Sequence, residues 1–377
     1  MSEPIEVHIF GAKKGESIVV RLPGDHWGVV DNYTPNLSLP ESNPTFKFLQ
    51  ERRVTHLSFL CLTHPHDDHY KGMSHLLKTF RPDRVWLFGC MTHRYLHEKV
   101  AVVLKAGGES QTIDSADSDN ADELVRILDQ VEADSRDVTR NPRLEVRRLQ
   151  LDMPLLDLGC VPPVRITSLG ASGGRVLQYE ATLDQCFDTA GGFLTEKLPN
   201  VNHNMISGGL LIEYGKARIV LGGDIDREAW EETLRRFPSQ RLCSGLVKAS
   251  HHGSVTGYCN NLWQELSPGQ TAIAVITPYS SQGLPSAEGA AHISNNAKLT
   301  LTASVGATAL ATDWNNKALD TSFQGVSADA LVTLRAVFPK ASSPAQRLEG
   351  RCSFVVGDDG RIDYTEFGEA GRLASQF

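Results

Sequence analysis

Residues 61 to 72, "CLTHPHDDHYKG", set three histidines and two aspartates within the six positions from His64 to His69, in a chain with 13 histidines among 377 residues. Imidazole and carboxylate offered without thiolate suit Zn²⁺ first, with Mn²⁺ or iron as alternatives. Side chains of the same types recur downstream: His203 in "VNHNMIS", Asp224 in "VLGGD", His251 and His252 in "ASHHGS". The candidate ligands are His64, His66, Asp68, His69, His203, Asp224 and His251. They outnumber the four ligands of a closed structural site, so two divalent ions with open positions, about 4 Å apart, are the natural account. Alternate side chains of an extended segment share a side, which lets His64 and His66 reach one ion while Asp68 and His69 turn toward the other. Asp224, with two oxygens, is the obvious bridge, and Asp67 is a spacer.

Two metals sharing a water lower its pKa toward about 7, and they clamp the oxygens of an in-line displacement. Such a centre favours an anionic substrate and suits a phosphodiester. Asp68, Asp224 and His252 are the candidate catalytic residues. His252 and Ser254 are positioned in sequence to hold a phosphate oxygen, with Lys248 adding positive charge. Each residue also has a structural reading. Asp224 could cap the helix at "DREAWEETLRRF", although Asp226 would serve the same end. His203 could be a hydrogen-bonded loop histidine. His93 and His97 sit four apart without the Glu of H-E-x-x-H and read as surface residues, and His292 could approach the site from the C-terminal part.

The elements that would carry these residues are legible as strands and glycine turns. "IEVHIF", "SIVVRLP" and "WGVVDNY" read as consecutive antiparallel strands. The apolar run Val54 to Leu62 predicts a strand buried on both faces, ending where the histidines begin. Met73, Leu76, Leu77 and Phe80 then recur at helical spacing before "RVWLFGC" resumes as strand. Residues 109 to 137 hold ten acidic residues against two arginines, and Leu124, Ile127, Leu128 and Val131 predict one surface helix there. Residues 171 to 203 read as irregular and Gly-rich. "GGLLIEYGKARIVLGGD" is strand, turn and strand; "GLVKASHHGS" and "TAIAVITPYSS" each feed a strand into a polar loop; "RCSFVVGDDGRIDY" is a hairpin. The alternation argues for an α/β or α+β sandwich of sheets and helices.

With 41% hydrophobic and 22% charged residues, the composition is that of a globular protein with a large core. A net charge of -8 argues against non-specific coating of nucleic acid while leaving a local anion site open. The seven cysteines are scattered and never spaced C-x-x-C, which suggests neither a disulfide framework nor a thiolate zinc site. The first residues lack the pattern of a signal peptide, and no run approaches the roughly 18 apolar residues of a membrane span. The expectation is a cytoplasmic protein with no membrane contact.

"THPHDDH" resembles the H-x-H-x-D-H signature of the metallo-β-lactamase superfamily, and later landmarks follow in that family's order. His203 precedes Ser207 by four residues, as in H-x-x-x-S, although its flanks are "NHNMI" where the family usually has "GHTPG". "VLGGD" resembles the strand ending in the bridging aspartate, and "LVKASHHGS" the last histidine motif. Within the superfamily, the chain is most similar to the β-lactamase-like domain of ComEC DNA-uptake proteins and their free-standing relatives. The opening "FGAKKGESIVVRLPGDHWGVVDNY" resembles that group's G-x-G-[DE]-[SA] start and its following Asp, with Lys14 standing for a glycine. The resemblance spans roughly residues 6 to 282. It implies a single αββα sandwich over residues 1–377, with an acidic helical insertion at about 106–145 and a C-terminal extension at about 290–377 that completes or flanks it. It further implies two divalent ions and a phosphodiesterase or nuclease acting on DNA or another nucleic acid. The channel of the uptake proteins is missing from the sequence, so DNA import is not carried over. Hydrolysis of a small ester, lactone or thioester is the alternative, and a regulatory module with a vestigial metal site the second. The acidic insertion could serve as a lid, a partner-binding segment or an autoinhibitory flap.

Overall fold

The computed structural model describes residues 2–11, 14–39, 42–89, 99–106, 115–194, 201–259, 261–279, 282–303, 350–367 and 371–373. His93 and His97, the start of the acidic segment and much of the C-terminal part lie outside these residues. Strands β1 (Ile5–Gly11), β2 (Glu16–Leu22) and β3 (His26–Val30) form an antiparallel meander, and β4 (Phe59–Leu62), β5 (Arg84–Leu87) and β6 (Glu145–Arg148) continue the sheet in parallel. A second sheet opens with the antiparallel β7 (Pro154–Leu158), β8 (Val164–Gly170), β9 (Gly208–Tyr214) and β10 (Ala217–Leu221). It continues in parallel through β11 (Leu246–Lys248), β12 (Ile273–Ile276) and β13 (Leu299–Thr302). The chain then returns to the first sheet, where β14 (Gly350–Val356) pairs with β1 and β15 (Ile362–Phe367), and β16 (Gly371–Leu373) pairs with β13. Among the described residues each sheet has eight strands, in the orders β15-β14-β1-β2-β3-β4-β5-β6 and β16-β13-β12-β11-β10-β9-β8-β7.

Alternation along the strands divides the apolar residues between two faces. Ile18 and Val20 of β2, Phe59 and Cys61 of β4, Leu210 and Ile212 of β9 and Leu246 of β11 meet in one core between the sheets. Val19, Leu60 and Leu62 face the other side of the first sheet, where α1 (Pro44–Glu51), α2 (Met73–Phe80), α3 (Ser115–Arg136) and α4 (Gly173–Asp184) add their apolar residues to a second core. Val220 and Val247 face a third, shared with α5 (Arg227–Arg236) and α6 (Ala287–Asn296). The architecture is therefore a mixed α/β sandwich. Among the described residues no helix is long and apolar enough to cross a membrane.

Three sequence expectations change. The strand expected over residues 54 to 62 begins only at Phe59, because Arg53 ends the turn after α1 with φ +58° and the chain must cross an exposed stretch around His56 before entering the sheet. The helix expected within residues 109 to 137 spans α3, but its apolar stripe is no surface feature. Leu124, Ile127, Leu128 and Val131 are fully or almost fully buried, and Glu123 accepts from the backbone N (3.0 Å) and hydroxyl (2.9 Å) of Ser74 at the start of α2. The stretch from 171, expected to be irregular, contains α4: Ser172 caps it, and Val176, Tyr179 and Leu183 bury one face.

Candidate metal centre

The two sheets repeat one strand pattern, and in each an adjacent parallel pair, β3 with β4 and β10 with β11, carries polar loops at its C-terminal ends. Asp31 follows β3 and the His64–His69 loop follows β4; Asp224 follows β10 and His251–His252 follows β11. Thr277 follows β12, Glu16 opens β2, and a 3₁₀ turn over His203–Ile206 leads into β9. Gly223, at φ +48°, lets the Asp224 loop lie against β9, since a Cβ there would meet the Gly208 carbonyl at 2.3 Å.

The ligand-type atoms fall into two groups that share Asp224, one with His64 and His66 and the other with Glu16, His69 and His252, beside which Asp68 stands. In the first, His64 Nε2 lies 3.0 Å from His66 Nδ1 and 3.6 Å from Asp224 Oδ2, with the His203 ring centred 5.5 Å from that of His66. In the second, His69 Nε2 lies 3.4 Å from Asp68 Oδ2 and 3.5 Å from Asp224 Oδ1. His252 Nε2 lies 3.0 Å from Asp68 Oδ2 and 3.7 Å from Asp224 Oδ2.

The far nitrogens of these rings are already engaged. His69 Nδ1 donates to Asp31 (2.8 Å) and His252 Nδ1 to the Thr277 carbonyl (2.8 Å). Thr63 Oγ1 donates to Asp31 (2.7 Å), which leaves its lone pair for the His64 Nδ1 proton at 3.1 Å. Each arrangement turns Nε2 inward, as an orienting partner does for a metal-binding imidazole.

The electrostatics match. Burial presses His69 downward, yet Asp68, Asp224, Asp31 and Glu16 around it carry it well above its ordinary pKa. Burial would raise Asp68 and Asp224, but the surrounding histidines hold both well below the carboxylate range. Burial and neighbouring rings depress His64 strongly and push His203 down to about 3, so both stay neutral. His69 Nε2 and Asp224 Oδ1 are buried without a hydrogen-bond partner. Buried carboxylate oxygens gathered round these rings call for positive charge among them, which the His69 proton supplies in the metal-free protein, and the donor set fits a divalent metal in its place.

Of the expected residues, His64, His66, Asp68, His69 and Asp224 converge, and His203 stands beside His66. Where the sequence reading set His251 among the metal ligands and His252 toward substrate, it is His252 whose ring lies among the grouped ligand atoms. His252 is only 1% exposed and belongs to the second group, with no face for substrate. His251 lies farther out, its Nε2 4.0 Å from Asp224 Oδ2 and 3.1 Å from the Asn204 amide nitrogen, with its side chain 22% exposed. Lys248 does not meet substrate either: it is completely buried, pairs with Glu16 and donates to the Gly223 carbonyl at 3.1 Å. Ser254 supports Thr256 (3.0 Å), whose hydroxyl lies 2.7 Å from His251 Nδ1. Asp67 pairs with Lys14 at 2.9 Å, and Asp226, accepting from Ala229 N, is the cap of α5. His292 stacks on Tyr258, ring centres 3.9 Å apart.

Glu16, Asp31, Thr277 and Tyr179 were missed as contributors. For the two acids a signal existed, since each is a carboxylate set against an apolar run, "ESIVV" and "GVVD". The sequence matches no protein-family model, and no similar chain is found among curated proteins.

Proposed function

We propose that this chain is a metal-dependent hydrolase of the metallo-β-lactamase superfamily with an αββα fold, acting as a phosphodiesterase on DNA or another nucleic acid. The observation that carries the reading is the reach of Asp224 to both sets, with Oδ2 toward His64 and His252 and Oδ1 toward His69. A carboxylate so placed between two sets of imidazole nitrogens has the disposition of a bridge between two ions. The order of motifs along the chain and the sandwich of two sheets support the family, and the ComEC-like motifs support the phosphodiester.

His64, His66 and His203 would hold the first divalent ion and Asp68, His69 and His252 the second, with Asp224 shared. Zn²⁺ fits the imidazole-rich first set, and Mn²⁺ is compatible with the carboxylates of the second. When bound, such a pair supplies an activated water and Lewis acidity toward the oxygens of the substrate. The residues of the chain fix the geometry: Asp31 and Thr277 hold His69 and His252 in one tautomer, and Thr63 does the same for His64. His251 and Asn204, on the more open side, are placed to meet a substrate oxygen.

The test is turnover of linear and single-stranded DNA, RNA, bis(p-nitrophenyl) phosphate, and a set of lactones and thioesters, with Zn²⁺ and with Mn²⁺. Phosphodiester cleavage lost in His64→Ala and His66→Ala is the expected result. The net charge of -8 gives the lactone and thioester alternative its footing. Turnover confined to those compounds would replace the phosphodiesterase reading, and no turnover by a metal-loaded protein would remove both.

A further inference from the structure

Helix α4 touches the centre at two places through side chains four residues apart. Tyr179 is fully buried, and its hydroxyl lies 2.8 Å from His203 Nδ1, the rings meeting edge to face at 5.8 Å and 64°. Arg175 donates through Nε to the Met205 carbonyl at 3.1 Å, inside the same 3₁₀ turn, and pairs with Asp226, two residues after Asp224. Residues i and i+4 lie on one helix face, so a single rigid element sets the His203 turn against the Asp224 loop.

His64, His69 and His252 take their orientation from groups on the strand ends, Thr63, Asp31 and Thr277. His203 sits instead in a 3₁₀ turn whose cap, Asn202, bonds to the backbone of Asn204 at 3.1 Å and not to the imidazole ring. Tyr179 supplies the restraint from outside the sheets.

We infer that Tyr179 is the positioning residue of the first metal position: its hydroxyl oxygen accepts the Nδ1 proton of His203, leaving Nε2 bare and turned toward the His66 side. The inference rests on the two-metal reading and adds that His203, which takes no partner from a strand end, depends on α4. The second position, built from Asp68, His69 and His252, makes no use of Tyr179, so the effect of its loss is confined to one of two ions. Outer partners of this kind typically account for about 10- to 100-fold in metal affinity.

The experiment is a Co²⁺ titration of metal-free protein, read by d–d absorption and chelator competition, for wild type and Tyr179→Phe. Long-range ¹H–¹⁵N spectra of the Zn²⁺-loaded forms report the His203 tautomer. The expected result is two Co²⁺ per wild-type chain, with one of the two weakened about 10- to 100-fold in Tyr179→Phe and the other unchanged. In the wild type, Nδ1 of His203 should carry its proton. Two wild-type ions with both affinities kept in the variant, or both weakened alike, would overturn the role of Tyr179 and leave the two-metal reading standing. A wild-type chain that binds no Co²⁺ would overturn both. Should Tyr179→Phe fail to fold, the wild-type spectrum decides alone: a deprotonated Nδ1 on His203 refutes the inference.

Discussion

His251 and His252 carry φ of +48° and +51°, and Gly253 follows at +78°. Three successive residues in the left-handed region turn the chain sharply, at a cost of about 1 kcal/mol or more for each histidine, so the surrounding structure must enforce the conformation. The turn separates the two rings. That of His252 goes inward, between Asp68 and the Thr277 carbonyl, and that of His251 stays with Asn204 and Thr256. On the proposed two-metal reading, His252→Ala should lose one bound ion, with affinity down by more than about 100-fold, whereas His251→Ala should retain both within about 10-fold. Metal content after dialysis checks this. Retention in His252→Ala with loss in His251→Ala would return the inner place to His251. Nothing in "SHHGS" reveals which ring turns in, because the choice lies in backbone handedness and not in composition. Lys248 is a different case. Strand alternation puts Leu246 and Lys248 on one side of β11, and Leu246 lies in the core between the sheets, so the inward direction of Lys248 was open to a reading by period.

Among the elements, hairpins and strand–loop units were legible because turn glycines and two-residue alternation are local signals: β1 to β3, β9 with β10, and β14 with β15 all stand where the patterns put them. Helix α4 was not, since Gly173 and Gly174 at its start disguise a sound Ser172 cap and a buried face at Val176, Tyr179 and Leu183. Helix α3 was seen as an element and misjudged in its setting. Its acidic residues suggested solvent, yet Glu123 is only 1% exposed and is spent on Ser74, whose backbone N would otherwise be an orphan donor in the first turn of α2. Because α2 directly follows the ligand loop, α3 braces the element that carries the centre. Glu123→Ala removes acceptors from two Ser74 donors and should cost about 1–3 kcal/mol. Urea unfolding of the metal-free protein measures it. A loss below about 0.5 kcal/mol would show that water replaces the carboxylate without penalty, as it does at an exposed helix end.

At the scale of the whole molecule, the centre lies where two sheets must keep a fixed relation, and a buried ion pair crosses between them there. Glu16 shares the side of β2 that carries Ile18 and Val20, and Lys248 shares the side of β11 that carries Leu246, so strand period alone directs both into the inter-sheet space. Glu16 also accepts from the Thr277 hydroxyl at 2.7 Å, and Lys248 donates to the Gly223 carbonyl beside Asp224, which links the pair to the residue that holds His252 and to the Asp224 loop. Neither side chain has any side-chain exposure, so removing Glu16 leaves Lys248 without a carboxylate in a low dielectric, and removing Lys248 leaves Glu16 only the longer contacts to His69 and His252, 3.9 Å each. Glu16→Gln and Lys248→Met should each cost about 3–5 kcal/mol, while the double variant, which buries no lone charge, should cost clearly less than their sum. The measurement is a double-mutant cycle in urea on the metal-free protein. Additive losses would mean the two groups act separately and the sheets are held by apolar packing alone. A strong coupling would mean that the relation of β2 to β11, and with it the distance from the His64–His69 loop to Asp224, is set in part by one ion pair that substrate never meets.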